Sequence, residues 1–171
     1  MAAHGAQAPG MGPSRTNVTR LLESLRVAHR VATYEVELSD LSAASAAAKI
    51  GIEPERVFKT LALRGASGAV FLCCVPGDAE LDLKKAAAAA GEKSAALLPL
   101  RELQEATGYL RGGCSPIGVK RAYEVLVDET ATLCEEISVS AGARGTQVLL
   151  APAALMAVLG ERARYADLMQ Y

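Results

Sequence analysis

Apolar residues recur along this chain with periods that change from stretch to stretch, and the periods predict its elements. Val18, Leu21, Leu22 and Leu25 fall at helical spacing, so residues 16–28 read as an amphipathic helix that Thr16 or Asn17 can cap. Residues 31–36 alternate as a strand does. Residues 39–50 read as a second helix, ended by Gly51 and followed by Pro54. Two apolar runs, 57–64 and 69–76, flank the turn Gly65-Ala66-Ser67-Gly68 and predict a β-hairpin. A third helix spans 81–90, carries Lys84-Lys85 and stops at Gly91. A short strand follows near 95–98, and a fourth helix over 99–107 has Pro99 in its first turn and Gly108 at its end.

Residues 109–118 form a Gly/Pro-rich loop, followed by a strand over 124–128. A second hairpin pairs 136–140 with 146–150 across the turn Ala141-Gly142-Ala143-Arg144-Gly145, and 152–160 is the closing helix. Hairpins and single strands interrupted by helices are not the strict alternation of a doubly wound sheet. The pattern predicts an α/β chain with a mixed, mostly antiparallel sheet and helices around it. There is no internal repeat.

Composition refines this reading. The 171 residues suit one domain, 15–171, after a disordered tail over 1–14 that is rich in Ala, Gly and Pro. Half the chain is apolar (51%), but 33 residues are alanine, and the larger apolar side chains make up the ordinary third of a globular protein. Seven aromatics and no Trp argue against a surface that stacks many bases. A net charge of −1 argues against autonomous nucleic-acid binding, which needs a basic excess. Residues 109–121 depart from that average, with Arg111, Lys120, Arg121 and no acid. The tail lacks the basic and apolar regions of a secretory signal, and no stretch is long enough to span a membrane, so a cytoplasmic protein is expected.

None of the four cysteines has C-x-x-C spacing. Cys73 and Cys74 should point to opposite faces of a strand, and reduced core thiols are the simplest reading. His4 lies in the tail, and His29 is left as the one histidine of the domain, at a helix end where capping suits it. Nothing in the pattern calls for a metal or a cofactor.

Three places could carry chemistry. Lys59 shares a strand face with Val57, Leu61 and Leu63, where a lysine is costly unless it has a partner or lines a cavity. Alternatively Phe58 and Ala62 face the core and Lys59 is solvated; pattern alone leaves both open. The loop Gly112-Gly113-Cys114-Ser115-Pro116-Ile117-Gly118 can bring backbone N–H groups close to a carbonyl or phosphate, or can be an ordinary tight loop. The turn at Gly142–Gly145, preceded by Ser138 and Ser140, can be a plain hairpin turn. Cys114 as a nucleophile would need an activating base, and no histidine is at hand.

Taken in order, these segments resemble the YbaK/EbsC family of bacterial Cys-tRNA(Pro) deacylases, in the aminoacyl-tRNA editing superfamily. The likeness rests on Val57-Phe58-Lys59-Thr60-Leu61, Glu80-Leu81-Asp82-Leu83-Lys84-Lys85, Thr107-Gly108-Tyr109-Leu110, the 112–118 loop and Val139-Ser140-Ala141-Gly142-Ala143-Arg144-Gly145. It spans roughly residues 16 to 169. The resemblance implies a compact, barrel-like mixed sheet around a central pocket. It also implies hydrolysis of Cys from mischarged tRNA(Pro), and by extension from tRNA(Cys). In that chemistry the substrate's own thiol attacks the ester carbonyl, and the protein supplies orientation and oxyanion stabilisation.

By the same resemblance, Lys59 and the backbone of Gly112 are the catalytic candidates. Tyr34, Thr60, Gly113, Cys114, Ser115, Pro116, Ser140, Gly142, Arg144 and Gln147 are candidates for substrate binding. Gln147 stands where many members have Asp, and Ser42-Ala43-Ala44 lacks an aromatic that some relatives carry; both bear on amino-acid specificity. The implied partners are the aminoacylated 3′ end of tRNA and prolyl-tRNA synthetase, which would present a tRNA that a near-neutral domain need not hold alone. Clearance of another small amino acid such as Ala, or a non-catalytic binding module on the same fold, are the alternatives.

Overall fold

The computed structural model describes residues 15–171, so the tail over 1–14 and His4 lie outside it. In chain order the elements are α1 (Asn17–Ser24), β1 (Arg30–Thr33), α2 (Ala43–Ile50), β2 (Phe58–Gly65), β3 (Val70–Pro76) and α3 (Leu83–Ala90). They continue as β4 (Ala95–Leu97), α4 (Leu100–Thr107), β5 (Glu124–Asp128), β6 (Ile137–Ala143), β7 (Thr146–Leu150), α5 (Pro152–Leu159) and β8 (Ala163–Ala166). No helix among the described residues is long and apolar enough to cross a membrane.

Caps decide where the helices begin. Thr16 and Thr19 exchange side-chain and backbone bonds in a capping box at α1. Ser42 accepts from the Ser45 N–H and so starts α2 at residue 43, four residues later than the apolar pattern predicts. Asp82 accepts from the N–H groups of Lys84 and Lys85 and starts α3. The helix predicted to run to 28 stops at 24, because Arg26 turns left-handed (φ 55°) and Val27 N–H bonds back to Leu22 O. The strand predicted over 31–36 ends at Thr33. The strand predicted to stop at Ser140 runs on to Ala143 through a bulge at Ser140–Ala143, which narrows the turn to Arg144-Gly145.

The strands make two sheets, ordered β1-β7-β6 and β4-β2-β3-β5-β8. Four neighbouring pairs are antiparallel, while β3-β5 and β5-β8 are parallel, so the sheets are mixed and mostly antiparallel. The barrel-like expectation needs correction: among the described residues no strand pair closes a ring. The sheets touch where Val57, just before β2, meets Ser138 of β6 in a single parallel bridge. Beyond that point β6 and β4 diverge along the same edge of β2, because β4 joins β2 only at Leu63, Arg64 and Gly65.

Both faces of the larger sheet are covered, which explains the unbroken apolar run of β3. Phe58, Ala62, Leu72, Cys74, Val125 and Val127 pack into the principal core with Ile137, Val139 and Val148 of the smaller sheet. Leu63, Phe71, Cys73, Val75 and Leu126 face the other way, against Ala86 of α3 and Leu168. Cys73 and Cys74 therefore serve opposite cores, and all four cysteines are free thiols. Burying a side chain such as Phe58 or Leu63 contributes about 1.5–3 kcal/mol. The principal core fills the wedge between the sheets and leaves a cavity at its mouth.

Candidate active site

The fork between β4 and β6 opens into a cavity of about 630 Å³. Its floor is the stretch 57–62, and its far wall is Leu97, Leu98, Leu100 and Leu103 from β4, α4 and the link between them. The near wall is polar: Tyr34, Ser39, Asp40, Ser42, Arg111, Gly112, Ser140 and Gln147. A small-molecule site commonly has this make-up, an apolar volume with a few directed polar groups.

Lys59 lies on the floor, half-buried. Because β2 is buried on both faces, the two sequence readings do not exclude each other: Phe58 and Ala62 face the principal core, while Lys59 follows Leu63 and Leu61 on the other face. Its ammonium donates to the carbonyls of Ala79 (2.7 Å) and Gly77 (3.4 Å) in the turn after β3. Burial holds its pKa below the ordinary lysine range, offset in part by Glu80 and Asp78. Neither acid approaches to ion-pair distance, so the charge is held by carbonyls and retains a donor for a ligand.

The glycine loop is fixed from beneath. Tyr109 donates to Ile117 O (2.6 Å) and accepts from Asn17 of α1 (2.8 Å). Ser115 accepts from Ile117 N–H, and Gly113 donates its N–H to Leu110 O. These bonds assign the loop residues different parts. Gly112 (φ 82°) and Cys114 reach the cavity wall, whereas Gly113, Ser115 and Pro116 are buried behind it. Among the described residues the Gly112 N–H has no partner, which leaves it free for an oxyanion, while that of Gly113 is already used. Cys114 is a poor nucleophile, since burial pushes its thiol up to about 11.

The second hairpin contributes Ser140 and Gln147, directly paired across β6 and β7. Ser140 accepts from Gly142 N–H, and Ser138 donates to the Gln147 side-chain oxygen (2.8 Å), which orients the amide at the cavity. Gly142 and Arg144 do not line it. Gly142 (φ 87°) makes room for the Tyr109 ring, 2.8 Å from where a Cβ would stand, and Arg144 donates to Arg111 O (2.8 Å). Seven of the twelve sequence candidates thus share one cavity: Tyr34, Lys59, Thr60, Gly112, Cys114, Ser140 and Gln147. The other five shape its walls from behind.

Sequence reasoning missed the segment 39–41, absorbed there into a helix. It lines the cavity with Ser39, Asp40 and Leu41, and the only local signal is the Asp-x-Ser-x-x-Ser string that favours caps over helix interior. Asp40 accepts from Ser42 N–H, and its pKa is lowered by its hydrogen bonds from Ser42. It is an exposed carboxylate at the rim. His29 does not line the cavity; its Nδ1 lies 2.7 Å from Val27 O. Among the described residues no three His, Cys, Asp or Glu side chains gather as metal ligands.

Residues 40–158 match the family model of the aminoacyl-tRNA editing domain. A protein of Enterococcus faecalis, provisionally named the Cys-tRNA(Pro)/Cys-tRNA(Cys) deacylase EbsC, is 42% identical over 144 residues, which are 84% of this chain and 88% of that protein. Among solved structures, one provisionally described as a trans-editing enzyme for prolyl-tRNA synthetase superposes with a TM-score of 0.77 at 27% identity, over 92% of this chain and all (100%) of that one. The hypothetical protein APE2540 (TM-score 0.80, 23% identity, 90% of this chain and 99% of that one) shares the fold. The likeness first carried by the 57–61 and 112–118 motifs thus extends over most of the molecule, and the chain belongs to the family of aminoacyl-tRNA editing domains.

Proposed function

We propose that residues 15–171 form one deacylase domain that hydrolyses Cys from mischarged tRNA(Pro), with Cys-tRNA(Cys) as a second substrate. The family and the 42% identical relative named for that reaction support it. The observation that carries the mechanism is the make-up of the cavity: a lysine and a free backbone N–H, a neutral thiol, and, among the described residues, no histidine on its walls. Such a site holds an ester well and activates a nucleophile poorly, which suits a substrate that brings its own.

In this reading the cysteinyl thiol attacks its own ester carbonyl. The S–C bond forms, the C–O bond to the terminal ribose breaks, and the thiol proton passes to the departing ribose oxygen. Water then opens the cyclic thioester to free cysteine. Gly112 N–H donates to the carbonyl oxygen as it gains charge, Lys59 holds the ribose end, and the wall residues fix the near-attack geometry. Asp40 at the rim supplies a carboxylate for the substrate's amine, offsetting the neutral Gln147. The protein acts in the cytoplasm on tRNA presented by prolyl-tRNA synthetase, in keeping with a net charge of −1.

Single-turnover deacylation of Cys-, Ala-, Ser- and Pro-tRNA(Pro) tests this. Release of Cys well above the buffer rate is expected. Preferential release of Ala would move the reading to a different small amino acid, and no release from any of the four would leave a non-catalytic module.

A further inference from the structure

The floor of the cavity is an unpaired strand edge, and it offers more than side chains. Odd-numbered residues of β2 direct their backbone groups to β3, as the bond from Gly77 N–H to Val57 O and that from Gly65 N–H to Ala69 O fix. Even-numbered residues therefore face the other edge. There Leu98 N–H donates to Ala62 O (2.9 Å), β4 pairs with β2 only from Leu63 onward and β6 bridges it only at Val57, so among the described residues no paired strand covers the edge at Thr60 and Ala62. A strand edge that no neighbour covers, beside a cavity, presents its backbone donors and acceptors to a ligand.

We infer that this edge is a recognition site for the adenine of the substrate's terminal adenosine. Thr60 C=O and Ala62 N–H, two residues apart on one edge, present an acceptor and a donor side by side. Adenine presents the complement: its 6-amino group donates to Thr60 O, and its N1 accepts from Ala62 N–H. The flat base then lies against Leu97, Leu98, Leu100 and Leu103, of which Leu97 and Leu100 are otherwise 54% and 60% exposed. A peptide strand is a poor fit, because the open edge is confined between the Val57–Ser138 bridge and Leu98. The assignment rests on the deacylase reading for its choice of ligand, and it places the base in the apolar half of the cavity and the ester in the polar half.

Titration of the ¹⁵N-labelled full chain with adenosine and with inosine tests it. Inosine carries a donor at N1 and an acceptor at C6, so both contacts become mismatched. Adenosine should shift the Ala62 amide resonance and bind at least tenfold tighter than inosine, and Leu100→Asp should weaken adenosine at least tenfold while leaving the rest of the spectrum native. Equal affinity for the two nucleosides, or an unmoved Ala62 amide, overturns the assignment. The deacylase reading is separable: adenosine binding without hydrolysis of Cys-tRNA(Pro) keeps the subsite and sinks the activity. Equal hydrolysis of tRNA ending in adenosine or inosine sinks the subsite and keeps the activity.

Discussion

Replacing Gly112 by alanine asks whether the loop backbone, rather than its side chains, matters. Gly112 sits at φ 82°, a left-handed conformation that costs a residue with a Cβ about 1–2 kcal/mol. The new Cβ would also stand 3.2 Å from the Leu41 Cβ, so the 39–42 wall must move by a few tenths of an ångström. Gly91, at the end of α3, provides the control: it has φ 72° and nothing within 4 Å of its added Cβ. Both variants should therefore lose about 1–2 kcal/mol by urea denaturation, about 2–8 °C in Tm for a chain of this size. Their activities should differ. Gly112→Ala displaces both the N–H that meets the oxyanion and the Leu41 wall, and kcat/KM for Cys-tRNA(Pro) should fall at least about tenfold. Gly91→Ala should keep the wild-type value. Equal kcat/KM in the two variants, with equal loss of stability, would refute the assignment of the Gly112 N–H.

Other outcomes follow from the same geometry. Lys59→Ala should abolish deacylation while the chain stays folded, because its ammonium bonds only to carbonyls of the Gly77–Ala79 turn; a fully active variant would place the site elsewhere. Since burial lowers the Lys59 pKa, corrected activity should fall as pH rises through that lowered value, and Lys59→Arg, if active, should hold its plateau to higher pH. Cys114→Ala should keep most activity, and a hundredfold loss would revive a protein nucleophile. Cys74 and Cys114 are pushed up to about 12 and about 11 from 9.0, so below pH 9.0 both states are protonated and stability is intact. Above it the unfolded chain loses its protons first, and stability should fall by about 1.4 kcal/mol per pH unit per thiol. Cys114→Ala should make that alkaline slope shallower, read from urea midpoints at pH 9 and 10, and an unchanged slope would contradict the buried thiol.

Local signals made much of this molecule legible. The hairpin of β2 and β3 is written as two apolar runs around Gly65 and Gly68, and the adjacent Cys73 and Cys74 divide between two cores as strand alternation requires. The hairpin of β6 and β7 was equally plain, though its bulge was not, because Gly142 reads as a turn residue until its φ and the Tyr109 ring beside it are known. β8 went unseen. Its four residues pair parallel with β5, a partner far back in the chain, and no turn announces them. Helix ends depart from the apolar period where a cap or one left-handed residue outweighs it, as at Ser42 and Arg26. Motifs mark the site candidates, but their division into cavity wall and supporting layer depends on tertiary bonds. Nothing in the sequence says that Gly113 spends its N–H on Leu110 while Gly112 does not. The fork that creates the cavity comes from β4 and β6 reaching the same edge of β2, a long-range event no local pattern encodes.

The proposed division of labour is that the substrate's thiol supplies the nucleophile and the protein supplies the position. Its most direct test is the single-turnover rate of Cys-tRNA(Pro) against Ser-tRNA(Pro), which exchange one atom, sulfur for oxygen, in a cavity that fits both. Deacylation of Cys-tRNA(Pro) should be faster by at least about a hundredfold, a barrier difference of about 2.7 kcal/mol. Equal rates for the two would mean that the protein activates water or a group of its own, and that the substrate's thiol is not the nucleophile.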